Sequence, residues 1–260
     1  MTPDNEYSKF TKALLRWHST GGRHNLPWQK KQTAYRVWLS EIMLQQTQVS
    51  TVIPYFDKFI KKYQTINDLA NADIDEILKL WEGLGYYSRA RNLHKTALIV
   101  SSDLAGRFPK TVNGLMALPG IGRSTAGAIL SLAFQIPTPI LDGNVKRVLT
   151  RYHAITGWPG DTKTEKKLWA FAEKYTPSVQ IRNYTQAIMD LGATLCKRST
   201  PSCSKCPLSS GCVAYNEAIV SKFPEKKVKD IIKDKPYQLK IIHSQFDPNQ
   251  FSKIILLFFH

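Results

Sequence analysis

Acidic residues are scarce in this chain. Only 20 Asp and Glu stand against 36 Lys and Arg over 260 residues, a formal charge of +16. That balance excludes an acidic, solvating protein, and a globular chain this basic most often meets a polyanion, usually nucleic acid. An anionic membrane surface is the weaker option. Long apolar runs are also missing. None approaches the roughly 18 residues of a transmembrane helix, and the opening MTPDNEYSKF carries no apolar signal core. A soluble, cytoplasmic protein is expected. Repeats and low-complexity tracts are absent, which excludes solenoids. Alternating β-branched runs are absent until the last 25 residues, which excludes a β fold for the bulk of the chain. Cysteine is confined to four positions between 196 and 212. Thiols clustered in a reducing compartment point to a metal rather than to disulfides.

What is present is helical periodicity, from residue 7 to about 218, on a chain whose 43% hydrophobic content can fill a sizeable core. The segment 67–85, NDLANADIDEILKLWEGLG, places Leu69, Ile74, Ile77, Leu78 and Trp81 at helix spacing, and Gly83 and Gly85 stop it. The next segment, 86–104, places Leu93, Ala97 and Val100 on one side. The expected class is all-α for residues 1–218, with about ten short helices. Residues 219–235 are lysine-rich and suit a solvated linker. PYQLKIIHS and SKIILLFFH, at 236–244 and 252–260, read as two strands, too few for a stable isolated sheet.

Four constellations carry chemistry. Cys196, Cys203, Cys206 and Cys212 are spaced C-x6-C-x2-C-x5-C. The compact, uneven spacing fits an iron–sulfur cubane better than zinc, which prefers paired C-x2-C knuckles and stays open here. LPGIGRSTAGAIL (118–130) puts Gly120 and Gly122 in a tight turn ahead of an apolar helix. Such a turn is either an ordinary helix connection or a helix–hairpin–helix clamp on a DNA phosphate, and the basic chain favours the clamp. ILDGNVKRVLTRY (140–152) puts Asp142 at a helix start, an N-cap whose charged form the helix N–H groups favour. In WLSEIMLQQTQV (38–49), Glu41, Gln45 and Gln48 fall on one helix stripe and Leu39, Ile42, Gln46 and Val49 on another. A solvated polar stripe explains Glu41 cheaply. Yet Trp38, Leu39, Ile42, Met43 and Leu44 crowd it, and a carboxyl that loses water there has a raised pKa. Two acids pushed in opposite directions make a proton donor and an anionic stabiliser.

Together with GLGYYSRARNLH (83–94) and MDLGA (189–193), these stretches resemble the MutY-type adenine DNA glycosylases of the endonuclease III-like superfamily, in family order across roughly residues 7–225. The resemblance implies two helical lobes: a six-helix module, about 27–137, carrying the helix–hairpin–helix, and a lobe built from the N-terminal helix and 138–218 around a 4Fe–4S cluster on the four cysteines. It implies a base-excision repair enzyme that acts as a monomer, away from any membrane, on duplex DNA with A:8-oxoguanine or A:G mispairs. Glu41 then resembles the general acid, Asp142 the stabiliser of the sugar cation, and Asn144 their support in the pocket. Gln46 and Tyr86 resemble the pair that wedges into the base stack, and Leu26 and Trp28 the adenine pocket wall. Gly120, Gly122 and Ser124 are placed in the DNA-binding hairpin. Endonuclease III-type relatives carry a lysine where Ser124 stands; without that amine no Schiff base with the sugar forms, and a monofunctional glycosylase is expected. Residues 236–260 resemble the truncated start of a Nudix-like domain. Two other readings remain: a non-catalytic DNA clamp, in which Glu41 and Asp142 are dispensable, and a bifunctional oxidised-pyrimidine glycosylase, against which Ser124 argues.

Overall fold

A computed structural model describes residues 3–227, with side chains from Lys9 onward. The described residues hold twelve α-helices and four short 3-10 turns, and no strand. The helices are α1 (Pro3–Gly21), α2 (Ala34–Leu44), α3 (Val49–Lys62), α4 (Ile66–Ala70), α5 (Ile74–Trp81), α6 (Ser88–Ser102), α7 (Val112–Met116), α8 (Arg123–Leu132), α9 (Gly143–Tyr152), α10 (Thr162–Tyr175), α11 (Ile181–Thr194) and α12 (Val213–Asn216). The expected strands at 236–244 and 252–260, and the linker beyond residue 227, lie outside the described residues.

Local chemistry sets the boundaries. The Thr33 hydroxyl accepts the Arg36 N–H at 3.3 Å and starts α2. The single helix expected from 67 to 85 is two helices, because Asp73 accepts the Asp75 N–H at 2.7 Å and caps a new start. The continuous helix expected through WLSEIMLQQTQV is also broken: α2 ends at Leu44, a turn follows, and α3 begins at Val49. Gln46 therefore sits in a turn rather than on a helix stripe.

The helices form two lobes. In one, α2 lies against α3, α6 and α8, α4 and α5 lie against α6, and α7 lies against α8. In the other, α9 packs on α10, α11 and α12, and α1 packs on α10 and α11. The lobes meet where α8 touches α11. The buried residues that make this possible recur at helix spacing: Phe10 and Leu14 on α1, Val52, Phe56 and Phe59 on α3, Leu93, Ala97 and Val100 on α6, Ile188 and Leu191 on α11. The segment expected as solvated linker begins later than residue 219, for Phe223 is buried and its carbonyl accepts from Arg151 Nε at 2.9 Å.

A charged cluster ties α1 to α11. Asp190 is fully buried, and accepts from the Arg23 backbone N–H, Arg23 Nε, Arg23 Nη2 and Gln186 Nε2 at 2.6 to 2.9 Å. His18 Nε2 lies 3.5 Å from its second oxygen. Burial pushes the Asp190 carboxyl up, but His18 and Arg23 pull it further down, to below its usual range. A carboxyl lowered in the folded state stabilises the fold above its unfolded pKa, and that contribution is lost as pH falls through the folded value. Asp190→Ala strands the buried His18 and the half-buried Arg23. It should cost about 3–5 kcal/mol in urea unfolding at neutral pH, and flatten the loss of stability that the parent chain shows in acid.

Candidate active site

Glu41 lies in the last turn of α2, and Asp142 caps α9. Both are partly exposed by surface area, yet their carboxyls are surrounded by protein. Burial, and then the charge of Asp142, push Glu41 up from its ordinary value to about 8. No hydrogen bond from the described residues reaches the Glu41 carboxyl. Asp142 is different. Its Oδ1 accepts the Val145 N–H at 2.8 Å, and its Oδ2 accepts from Asn144 Nδ2 at 3.2 Å. Burial still raises its pKa, so the expected lowering does not win; the Val145 and Asn144 donors and the Arg147 charge oppose burial without overcoming it. The pair is separated by its donors. Those that favour an anion all converge on Asp142, and the proton belongs on Glu41.

Arg147 was not legible from periodicity, though it stands inside GNVKRV. Its Nη2 donates to Asn144 Oδ1 at 2.8 Å and to the Gly192 carbonyl at 2.7 Å, and its Nε donates to the Cys196 carbonyl at 2.7 Å. It therefore fixes Asn144, which fixes Asp142. Gly192, in MDLGA, allows this approach: a Cβ there would stand 2.6 Å from Asn144 Cβ and 3.0 Å from its backbone. Ser124 is spent locally, its Oγ accepting the Leu141 N–H at 3.0 Å, one residue before Asp142.

Gln46 and Tyr86 meet at a second place. Both are exposed, and both hold left-handed backbones, φ 57° and 50°. Such angles cost a non-glycine residue about 1 kcal/mol or more and cluster at functional sites. With Ile42, Gln45, Ser88, Arg89, Asn92 and Gly120 they line a cavity of about 230 Å³. Gly120 turns the connection between α7 and α8 at φ 80°, and Gly122 is the N-cap of α8. The expected helix–hairpin–helix is thus formed, beside the Gln46 and Tyr86 loops. Leu26 and Trp28 are buried in the core of the first lobe, Trp28 edge-on to Phe56 with ring centroids 5.5 Å apart.

Cys196, Cys203, Cys206 and Cys212 line one cavity with Arg151, Tyr152, Leu191 and Leu208. Burial pushes the thiols of Cys203, Cys206 and Cys212 up, Cys206 to about 12. Only a cationic centre would hold such groups as thiolates. Among the described residues, no three His, Cys, Asp or Glu side chains converge as one metal ion requires.

A profile described as "HhH-GPD superfamily base excision DNA repair protein" matches residues 39–174. The adenine DNA glycosylase of Buchnera aphidicola subsp. Schizaphis graminum is 48% identical over 242 residues, which are 93% of this chain and 69% of that protein. The human adenine DNA glycosylase is 44% identical over 218 residues, 80% of this chain and 40% of that protein. The chain thus spans between 40% and 69% of the length of these two relatives. Among solved structures, a thermostable thymine-DNA glycosylase matches with TM-score 0.74 and 30% identity, covering 82% of this chain and 98% of that one. A non-covalent endonuclease III–DNA complex matches at TM-score 0.69 and 22% identity over 84% of this chain and 99% of that one, which shows a shared fold.

The Glu41 shift can be measured directly. Carboxyl carbon-13 NMR should place its midpoint at about 8. Asp142→Asn should lower that midpoint, since it removes a neighbouring anion, without returning it to the ordinary carboxyl value.

Proposed function

Because the chain belongs to the HhH-GPD superfamily of base excision DNA repair proteins, we propose that it removes adenine from duplex DNA by acid-assisted hydrolysis of the N-glycosidic bond. The observation that carries this reading is the Glu41 carboxyl, which keeps its proton up to about 8 beside an aspartate held by donors. Adenine is a poor leaving group as an anion, so a ring nitrogen must gain a proton as the bond to C1′ breaks. Glu41 donates that proton. The bonding electron pair leaves with the base, and C1′ becomes cationic. Asp142 faces that charge as a carboxylate, kept oriented by Asn144 and, through it, Arg147. Water then adds to the sugar. The base has to leave the stack to reach these groups. Gln46 and Tyr86 suit the gap it leaves, because both are exposed and rigidly held at the rim of one cavity. Leu26 and Trp28 would form the apolar wall of the adenine pocket, and Gly120, Gly122 and Ser124 the hairpin that seats a phosphate.

The finer readings rest on the same residues. The preferred substrate is adenine opposite 8-oxoguanine or guanine, bound by a monomer. Ser124 offers no amine, so strand cleavage through a Schiff base has no nucleophile there. The four cysteines would hold a 4Fe–4S cluster, which occupies a volume and does not need its ligands to converge on one point. It would order the 196–212 loop, whose backbone meets Arg147 and Arg151. The purified protein should be yellow-brown and should lose that colour with iron on oxidation; a colourless zinc protein overturns the assignment.

The reaction is tested by single-turnover release from duplexes holding A opposite 8-oxoguanine or G, followed by alkali. Adenine release should fall as pH rises through about 8, where Glu41 loses its proton, and fall again in acid, where Asp142 gains one. Glu41→Gln should slow it by about 10²–10⁴-fold while duplex binding is retained. Strand cleavage should be weak at most, and efficient β-elimination with a borohydride-trapped adduct overturns the monofunctional reading. Duplex binding by the parent chain with no base release at any pH would instead favour a DNA clamp without catalysis.

A further inference from the structure

Arg89 is almost fully buried at the base of the two loops that carry Gln46 and Tyr86. Its Nη1 donates to the carbonyls of Ile42, Met43 and Gln45 at 3.0, 2.7 and 2.7 Å. Its Nη2 donates to Thr47 Oγ1 at 3.1 Å and to the carbonyls of Leu84 and Gly85, each at 3.2 Å. No Asp or Glu among the described residues pairs with it. Its charge is instead met by carbonyl dipoles, those of Ile42 and Met43 belonging to the last turn of α2, where the Ile42 carbonyl otherwise takes only the Gln45 N–H at 3.4 Å.

Two of these acceptors matter most. The Gln45 carbonyl belongs to the peptide that leads into Gln46, and the Gly85 carbonyl to the peptide that leads into Tyr86. Both of those residues have left-handed backbones, φ 57° and 50°. The guanidinium carbon also lies 5.4 Å from the Tyr86 ring centroid and 5.3 Å from that of Trp81, whose Nε1 donates to the same Gly85 carbonyl at 3.0 Å. One planar group therefore fixes the orientation of both peptides and the distance between them. An ammonium group cannot reproduce this, because it is a point charge with three donors and no fork.

We infer that Arg89 is the positioning residue for Gln46 and Tyr86, setting them as a rigid pair against an opened duplex without itself touching DNA. This rests on the reading above, in which those two residues occupy the gap left by the flipped adenine. It goes beyond it in assigning their geometry to one buried side chain from α6.

The test compares binding to an intact duplex and to one already opened at an abasic-site analogue opposite 8-oxoguanine, using the full chain. Arg89→Lys should weaken binding to the opened duplex by about tenfold and leave the intact duplex nearly unchanged. It should also be non-additive with Gln46→Ala, because Arg89 acts through that residue. A merely structural loss would lower both affinities together. Thr47→Val, which removes one acceptor at the same spot, should show the same selective loss in smaller degree, and it serves as the reporter if Arg89→Lys does not melt cooperatively. The inference is overturned if the opened-to-intact ratio stays at the parent value in the folded variants, or if the double variant is additive. A parent chain that does not prefer the opened duplex overturns the DNA reading itself, a result distinct from either.

Discussion

The Glu41 carboxyl stands where water is largely excluded and where Asp142 already claims the available donors, and most of the surrounding architecture can be traced to keeping those two acids unequal. Charging both would place like charges together in a poorly solvated space. The fold assigns the difference through Asp142 alone. Its cap to α9, the Asn144 amide beside it, and Arg147 behind Asn144 all act on one carboxyl. Arg147 reaches this position because α11 comes close at Gly192, and because the loop carrying Cys196 offers it a carbonyl. The setting of Asp142 thus depends on how tightly α9 and α11, two helices of the same lobe, approach each other.

Arginine does this organising work repeatedly. Arg36 reaches the carbonyls of Pro27 and Lys30, Arg182 those of Leu132 and Ala133 at the end of α8, and Arg151 those of Lys197, Arg198 and Phe223. Each joins segments through backbone oxygens that helix ends and loops leave unpaired, a task that suits a planar, permanently charged fork. The composition is basic partly for this reason. A net charge of +16 counts these internal cross-links together with whatever cations face a polyanion, so the DNA-facing charge is smaller than the total.

Much of this was legible in the sequence, and the failures are instructive. Periodicity found the buried faces of α5 and α6, and the glycine turn at 120–122 marked the hairpin correctly. Asp142 announced itself as a cap. The breaks at residues 71–73 and 45–48 were not seen, because apolar spacing continues across both and only the Asp73 cap and the Arg89 contacts interrupt the helix. The direction of the Asp142 shift was misjudged for a related reason: a cap motif is visible in a sequence, whereas the loss of water around it is a property of the folded surroundings. Arg89, Arg147 and Asp190 act through partners tens to hundreds of positions away, and no local pattern encodes such a partner. Leu26 and Trp28 lie in a short turn that carries no periodic signal; only the resemblance marks them in the sequence, and both are buried.

The Arg23–Asp190 contact spans 167 residues, and the Thr11 contact with Tyr175 spans 164. Helix α1 is made first yet packs against helices made last. At ordinary synthesis rates the delay is on the order of ten seconds or more. During it, Phe10 and Leu14 have no surface to cover them, while α2 through α8 can already assemble among themselves. The second lobe is then closed by bringing the two ends of the described chain together, which is a slow step for reasons of loop-closure entropy. Glu41, Asp142 and the Val145 and Asn144 donors all lie in the earlier part of the chain, but the Gly192 and Cys196 carbonyls that hold Arg147 against Asn144 arrive only when most of the described chain exists. A nascent chain that ends before Gly192 therefore lacks the contacts that hold Arg147, and through it Asn144, against Asp142.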